Sequence, residues 1–177
     1  ADIRSTDGIN RDANTDNIMN HIAEGLVAHL EDLSVGPLLA ESWDVSADGM
    51  VYTFTLRDGL KFHNGKPVTT AEVKWSWDRL LDPETNWGCV TYYNGKRGAN
   101  LKSVEVLDDR HIRFILVEPN ALFLTYMANF QCLTGVLHPE SVNEDGSWNT
   151  PIGTGPYQLK TWRRGEYITL ERFEGYK

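Results

Sequence analysis

The chain has 177 residues, of which 41% are hydrophobic and 24% charged, and its formal net charge is −8 at pH 7. This length allows a core of its own, and the composition is that of an ordinary globular domain. Net negative charge argues against a nucleic-acid partner, because no basic cluster is denser than Lys160, Arg163 and Arg164. We find neither a membrane-length apolar run nor a signal peptide, so we expect a soluble protein, either cytosolic or already processed.

The first predicted element is a helix that begins near Asn14 or Thr15, either of which can cap it. Its apolar stripe consists of Ile18, Ile22 and Leu26. The segments GPLLAESW and SADGM then supply turn-forming residues ahead of VYTFTLRDG, in which apolar and polar side chains alternate. The alternation predicts a half-buried strand whose inward side chains are Tyr52, Phe54 and Leu56.

A second helix is predicted from about Thr70 to Leu81. Thr69 and Glu72 have the spacing of a capping box, apolar residues follow at helical intervals, and an Asp-Pro pair comes directly after Leu81. The next segment, NWGCVTYYNGKRG, is aromatic and glycine-rich and has no regular period. We therefore expect a loop there.

Two hairpins and a third helix complete the pattern. LKSVEVLDDRHIRFILVEP alternates on both sides of Asp108 and Asp109, and PNALFLTYMANF reads as a short helix. YQLKTWRRGEYITLERF predicts a second hairpin that turns near Arg164 and Gly165. Together these elements predict a mixed α/β (α+β) domain, mostly antiparallel hairpins with three helices.

Residues 153–156, GTGP, resemble a phosphate-binding loop only in their glycine content. A phosphate loop follows a strand and opens a helix, whereas this segment leads into a strand and lacks the P-loop lysine. Neither GxSxG nor HExxH occurs, and His21 and His29 lie about 12 Å apart along the predicted helix, too far to share a metal. We therefore expect no enzyme activity, no cofactor and no metal site.

Two features leave alternatives open. Cys89 and Cys132 could form a disulfide or remain buried thiols, and their spacing excludes a CxxC motif. Most aromatic residues are expected in the core. Trp87, Tyr92 and Tyr93, however, lie in the polar glycine-rich loop, where a ring is suited to stack on a ligand. We expect at least one of them to face a cleft.

Four segments, taken in order, carry a resemblance to a known family: HIAEGLVAHLED, VGPLLAESWDVSADGMVYTFTLRDGLKFHNGKPVTTAEVKWSWDRLLDP, LHPESV and PIGTGPYQLKTWRRGEYITLERFEGY. The chain resembles the large extracytoplasmic solute-binding proteins of ABC importers, which carry peptides, opines, nickel complexes and related solutes. The resemblance implies a two-lobed clamshell that closes on its solute and delivers it to a membrane permease. Because family members are much longer, the 177 residues are expected to form one incomplete lobe, an N-terminal part without the second lobe.

The resemblance also implies a division of this lobe. Residues 1–40 and 150–177 would belong to its base, and residues 41–149 would form an inserted subdomain. The cleft-lining residues that the resemblance implies are Arg11, Asn14, Asp16, Trp87, Tyr92 and Tyr93, with residues 132–135 nearby. For Asp16, simple helix capping is an equal alternative. A periplasmic or extracytoplasmic location favours a disulfide between Cys89 and Cys132.

A second hypothesis belongs to another class of function. The chain could be a self-associating module, in which a second copy covers the exposed cleft face and forms a homo-oligomer.

Overall fold

The structure is a computed structural model that describes residues 13–176. The elements in this range are α1 (Ala13–Ile22), β1 (Val27–His29), β2 (Val35–Pro37), β3 (Ala40–Val45), β4 (Val51–Leu56), α2 (Thr70–Leu81), β5 (Leu101–Val106), β6 (His111–Leu116), α3 (Phe123–Met127), β7 (Tyr157–Arg163) and β8 (Tyr167–Arg172). All strand pairs are antiparallel, and the predicted mixed α/β class is confirmed. Over these residues, no helix has the length and apolar character needed to cross a bilayer.

The central sheet has four strands in the order β3-β4-β6-β5. Inner strands β4 and β6 bury alternate residues, as the sequence alternation predicts. The buried side chains of these two strands are Tyr52, Phe54, Leu56, Ile112, Phe114 and Leu116. Their shared face forms the centre of the core.

Helix α2 has the predicted bounds, and its capping box is present. Thr69 Oγ1 accepts a hydrogen bond from the Ala71 amide (3.2 Å), and Glu72 Oε2 accepts one from the Thr69 amide (2.8 Å). The helix buries Val73, Ser76, Trp77 and Leu80. Because these residues recur at helical spacing, they form one face, and α2 packs through it on β5 and β6.

Strand β3 was not expected from the sequence, which has turn-forming residues in this region. Ala40–Val45 nonetheless pair with β4. As an edge strand, β3 leaves most of its side chains exposed, so it shows no apolar alternation. Strands β1 and β2 have three residues each, too few to produce a periodic signal.

The hydrophobic core of the described residues falls into two clusters. The larger draws its buried residues from positions 26–136 and fills the space between the four-stranded sheet and α2. The smaller consists of Met19, Ala23 and Leu137, with partly buried side chains such as Trp162 and Ile168 of the β7–β8 hairpin packed against it. Helix α1 ends at Ile22, so Leu26 lies beyond it and joins the larger cluster.

A disulfide joins Cys89 to Cys132, with their Cα atoms 5.8 Å apart, and this confirms the predicted pairing. It connects the aromatic loop after α2 to the 3₁₀ turn Phe130–Cys132. This 3₁₀ turn also contacts α1. The disulfide therefore links the larger core to the region around the first helix.

Candidate functional site

Two adjoining cavities, of ≈ 580 and ≈ 300 Å³, lie beside the end of α1. They share Glu24, Leu38 and Tyr176, and together we call them the furrow. The larger cavity is also lined by Leu39, Glu41, Arg57, Asp58, Gly59, Leu60, Lys61, Thr154, Phe173 and Gly175. The smaller is also lined by Asn20, Ala23, Gly25, Val27, Ala28, Met127, Ala128, Asn129, Phe130, Leu133 and Pro156.

One wall of the furrow is formed by α1 and the segment around Phe130. Asn20 Nδ2 donates hydrogen bonds to the carbonyl of Asp16 (2.8 Å) and to the carbonyl of Phe130 (3.1 Å). The amide of Gln131 donates to Asn129 Oδ1 (2.9 Å) and caps the 3₁₀ turn. Phe130 itself is 63% exposed at the rim. The wall thus presents a large apolar ring on a backbone that is held in place.

Glu24 lies between the two cavities and is only 9% exposed. Its carboxylate accepts hydrogen bonds from Thr154 Oγ1 (2.9 Å, to Oε2) and from the Tyr176 hydroxyl (2.9 Å, to Oε1). Burial raises the pKa of Glu24 above its ordinary value, while the two hydroxyl donors and the charge of Arg57 oppose that rise. A buried carboxylate of this kind is held in place by its donors.

The GTGP segment packs on the carboxyl end of α1. The Gly155 amide donates to the Ile22 carbonyl (2.8 Å), and a Cβ on Gly153 would lie 2.1 Å from the same oxygen. His63 Nε2 donates to the Gly155 carbonyl (2.9 Å), and burial lowers the pKa of His63. The glycines therefore permit close backbone contact, which places Thr154 beside Glu24.

Charged groups line part of the larger cavity. Arg57 Nε donates to the Leu38 carbonyl (2.6 Å), and Glu41 pairs with Arg110 (3.0 Å). Asp58 and Lys61 also lie along this side. Apolar walls with a small number of hydroxyl, amide and charged groups are the usual lining of a small-molecule site.

Asn20 of α1 lines the smaller cavity, whereas Asn14 and Asp16, the helix residues that the resemblance implies, line neither cavity. Asn14 is exposed, and Asp16 is half-buried one helical turn before Asn20. Arg11 lies outside the described residues. The assignment of Asn14 and Asp16 to solute binding remains a prediction.

Two of the three predicted loop aromatics are core residues. Trp87 is 2% and Tyr93 1% exposed, their rings stack on each other at 5.6 Å, and Tyr93 meets Trp77 edge-on at 5.1 Å. The correction has a physical reason: the loop folds over the core, where burial of large rings outweighs the polar sequence around them. Neither ring has a face open to a solute. Tyr92 is half-buried against Tyr126, with ring centres 5.2 Å apart, and its role remains a prediction.

Sequence reasoning did not find Glu24, Asn20, Phe130 or Tyr176. A single acidic residue between Ala23 and Gly25, in an otherwise apolar stretch, was the one signal that could have marked Glu24. Its partners are 130 and 152 residues further along the chain. No local pattern connects positions so far apart.

Solved structures share this fold. The PBP AgaA from A. tumefaciens R10, in complex with agropinic acid, superposes with a TM-score of 0.86 at 28% identity, covering 99% of this chain and 35% of AgaA. The ABC transporter-associated periplasmic binding protein DppA from Helicobacter pylori, in complex with peptide STSA, gives 0.83 at 29% identity, covering 99% and 38%. The architecture is therefore that of a periplasmic binding protein.

Sequence relatives identify the family. The glutathione-binding protein GsiB of Salmonella typhi is 33% identical over 155 residues, covering 86% of this chain and 29% of GsiB. The dipeptide-binding protein DppE of Bacillus subtilis is 33% identical over 175 residues, covering 89% and 31%. The chain thus spans less than a third of the length of either relative. The profile of the bacterial extracellular solute-binding proteins, family 5 Middle, matches residues 34–177. The chain belongs to this family, and the resemblance read from its sequence is confirmed.

Proposed function

We propose that this chain is part of the solute-binding component of an ABC uptake system, and that the furrow forms one wall of its solute cleft. The observation that carries the proposal is the furrow itself, built by α1, the Phe130 segment and Tyr176 in a member of a solute-binding family. The proposed solute is a small peptide, an opine or a similar molecule. AgaA and DppA, which share the fold, were solved with agropinic acid and with a peptide.

The lining of the furrow suits such a solute. Phe130 offers an apolar surface at the rim, and Lys61 and Arg57 can face a carboxylate in the larger cavity. Closure of a second lobe over this wall would exclude water and strengthen these contacts. The partners of the proposal are that second lobe and a membrane permease, and its location is extracytoplasmic.

In this proposal, the furrow binds a solute and does not catalyse a reaction. Relatives GsiB and DppE are named as binding proteins, which is consistent with this reading. The comparisons give no support to the second hypothesis, a self-associating module.

The proposal predicts weak binding by this chain alone, because the solute meets a single wall. We expect calorimetry with peptide STSA or agropinic acid to show no heat at micromolar concentrations. NMR titration at millimolar concentrations should show saturable shifts, with a dissociation constant on the order of 1 mM. Micromolar affinity would contradict the one-wall account.

A matched pair of variants tests whether the furrow is the site. Phe130→Ala removes the rim ring and should weaken the NMR-detected binding several-fold. Leu122→Ala removes an apolar side chain of comparable exposure that does not line the furrow, so binding should be unchanged. Equal loss in the two variants, or loss in neither, would exclude the Phe130 wall as the contact surface.

A further inference from the structure

The carboxylate of Glu24 joins three separate parts of the chain. Glu24 follows the end of α1, Thr154 lies in the GTGP segment, and Tyr176 lies beyond β8. Each oxygen of the carboxylate accepts one hydroxyl hydrogen bond of 2.9 Å. The Glu24 carbonyl also accepts a bond from the Val136 amide (2.9 Å), so the residue is fixed at its backbone as well.

Tyr176 stands where the two cavities of the furrow meet, because its side chain lines both of them. Its backbone is tied through Phe173: the Tyr176 amide donates to the Phe173 carbonyl (3.1 Å), and the Phe173 amide donates to the Pro156 carbonyl (2.9 Å). These bonds fix the path of the chain but not the direction of the ring, and Tyr176 as a whole is 43% exposed. The bond from its hydroxyl to Glu24 supplies that missing constraint.

We propose that Glu24 is a positioning residue of the furrow, which holds the ring of Tyr176 as the wall shared by its two cavities. The hydrogen bond from Tyr176 to Glu24 is present without any solute. That it shapes a wall for a solute rests on the proposed function. Thr154 donates a hydrogen bond to the second carboxylate oxygen of Glu24, so that the buried carboxylate keeps a single orientation. A solute would thus meet a tyrosine face already in place.

The test follows the titration of Tyr176 rather than the stability of the protein. Burial, followed by the charge of Glu24, raises the pKa of Tyr176 to about 12. With tyrosine labelled at the ¹³Cζ position, Tyr176→Phe identifies the signal by its disappearance. At about pH 10.5, above the ordinary value for tyrosine, the Tyr176 signal of the parent protein should remain that of the neutral phenol.

Glu24→Gln keeps the shape of the side chain and removes its charge. We expect its Tyr176 signal to move toward the phenolate position at the same pH, because the negative charge of the carboxylate no longer opposes ionisation. Glu41→Gln is the matched control, since Glu41 lines the same cavity but pairs with Arg110. Identical Tyr176 titration in the parent, Glu24→Gln and Glu41→Gln proteins would overturn the proposal.

The position of the ring is tested by Glu24→Ala, which removes the acceptor. The Tyr176 ring signals should then shift toward those of an unconstrained tyrosine at neutral pH. If this variant does not fold, Thr154→Val provides the second measurement. It leaves one oxygen of Glu24 unsatisfied, and it should change the same ring signals by a smaller amount. Unchanged ring signals in a folded variant would count against the proposal.

A solute titration separates this inference from the proposed function. Peptide STSA should cause several-fold smaller shifts in Glu24→Ala than in Leu122→Ala, whose altered side chain does not line the furrow. If STSA and agropinic acid leave the parent protein unperturbed, the proposed solute is wrong, while the tyrosine titration still decides the role of Glu24.

Discussion

The furrow and the hydrophobic core beneath α2 are stabilised by different kinds of interaction. Around Trp77 the core is a cluster of aromatic rings in edge-to-face contact, with Phe114 at 5.0 Å and Tyr93 at 5.1 Å, and its cohesion depends on shape and apolar area. The furrow depends on single hydrogen bonds to Glu24 from residues more than a hundred positions away. We therefore expect the core to keep its form when one contact is lost, and the furrow to change its form when Glu24 or one of its hydrogen-bond partners is replaced.

The largest effect is expected in the core. Trp77→Ala should lower the free energy of unfolding by about 5 kcal/mol, the upper end for such substitutions, because the ring is fully buried. Denaturant unfolding followed by circular dichroism measures the loss.

Trp77→Phe is the control for this prediction. It keeps a ring in place and removes an indole N–H that has no hydrogen-bond partner among the described residues. We expect its loss to be less than half that of Trp77→Ala. Equal losses would mean that apolar packing does not account for the stability of this region.

The disulfide joins the aromatic loop of the core to the turn that carries Phe130, and its removal should have the next largest effect. Cys89 and Cys132 are 43 positions apart, and closing a loop of this length stabilises the folded state by about 4 kcal/mol in the chain-entropy description. The double variant Cys89→Ala/Cys132→Ala should lose that amount in urea unfolding. The parent protein should lose a similar amount on addition of reductant, while the double variant should be insensitive to it. A parent protein indifferent to reductant would show that the disulfide does not contribute.

Gly153→Ala should disrupt the furrow with less effect on the core. The new Cβ would lie 2.1 Å from the Ile22 carbonyl oxygen, so the GTGP segment must move away from α1, at about 3 kcal/mol. Gly36→Ala is the control, because the three atoms nearest its new Cβ all belong to the movable side chain of Leu30 and not to the backbone. We expect thermal unfolding to show a clear loss for the first variant and a smaller one for the second. The reverse order would contradict the packing described for GTGP.

The smallest expected effect is a pH dependence. Burial lowers the folded-state pKa of His63 below the unfolded value of about 6.5. The unfolded chain therefore binds more protons between the two pKa values, so the stability due to neutral His63 is complete above pH 6.5 and declines as the pH falls through the folded-state value. His63→Gln should reduce this decline as the pH is lowered from about 6.5, the unfolded value. An identical pH profile for the variant would exclude His63 as its source.

Local signals predicted much of the fold. The Thr69–Glu72 capping box predicted the start of α2, and the Asp-Pro pair after Leu81 predicted its end. The alternation in β4 and the turns of the two hairpins could also be predicted from the sequence, because each depends on residues that are neighbours in the chain. Edge strand β3 gave no such signal, since exposed side chains need not alternate.

The site was harder to predict than the fold. The polar surroundings of Trp87 and Tyr93 suggested a surface loop, yet the rings are buried by contacts with α2 and the sheet. The family resemblance directed attention to the first helix but could not supply the contacts of Glu24. Those contacts exist only after distant segments have been brought together by the core.

The most direct test of the account locates the solute on the protein. Peptide STSA carrying a nitroxide broadens the amide signals of residues near which it spends time, even when binding is weak, and the free nitroxide serves as the control. The account predicts that broadening is greatest at Asn20, Phe130 and Tyr176. Broadening centred outside the furrow, with these three signals unaffected, would contradict it.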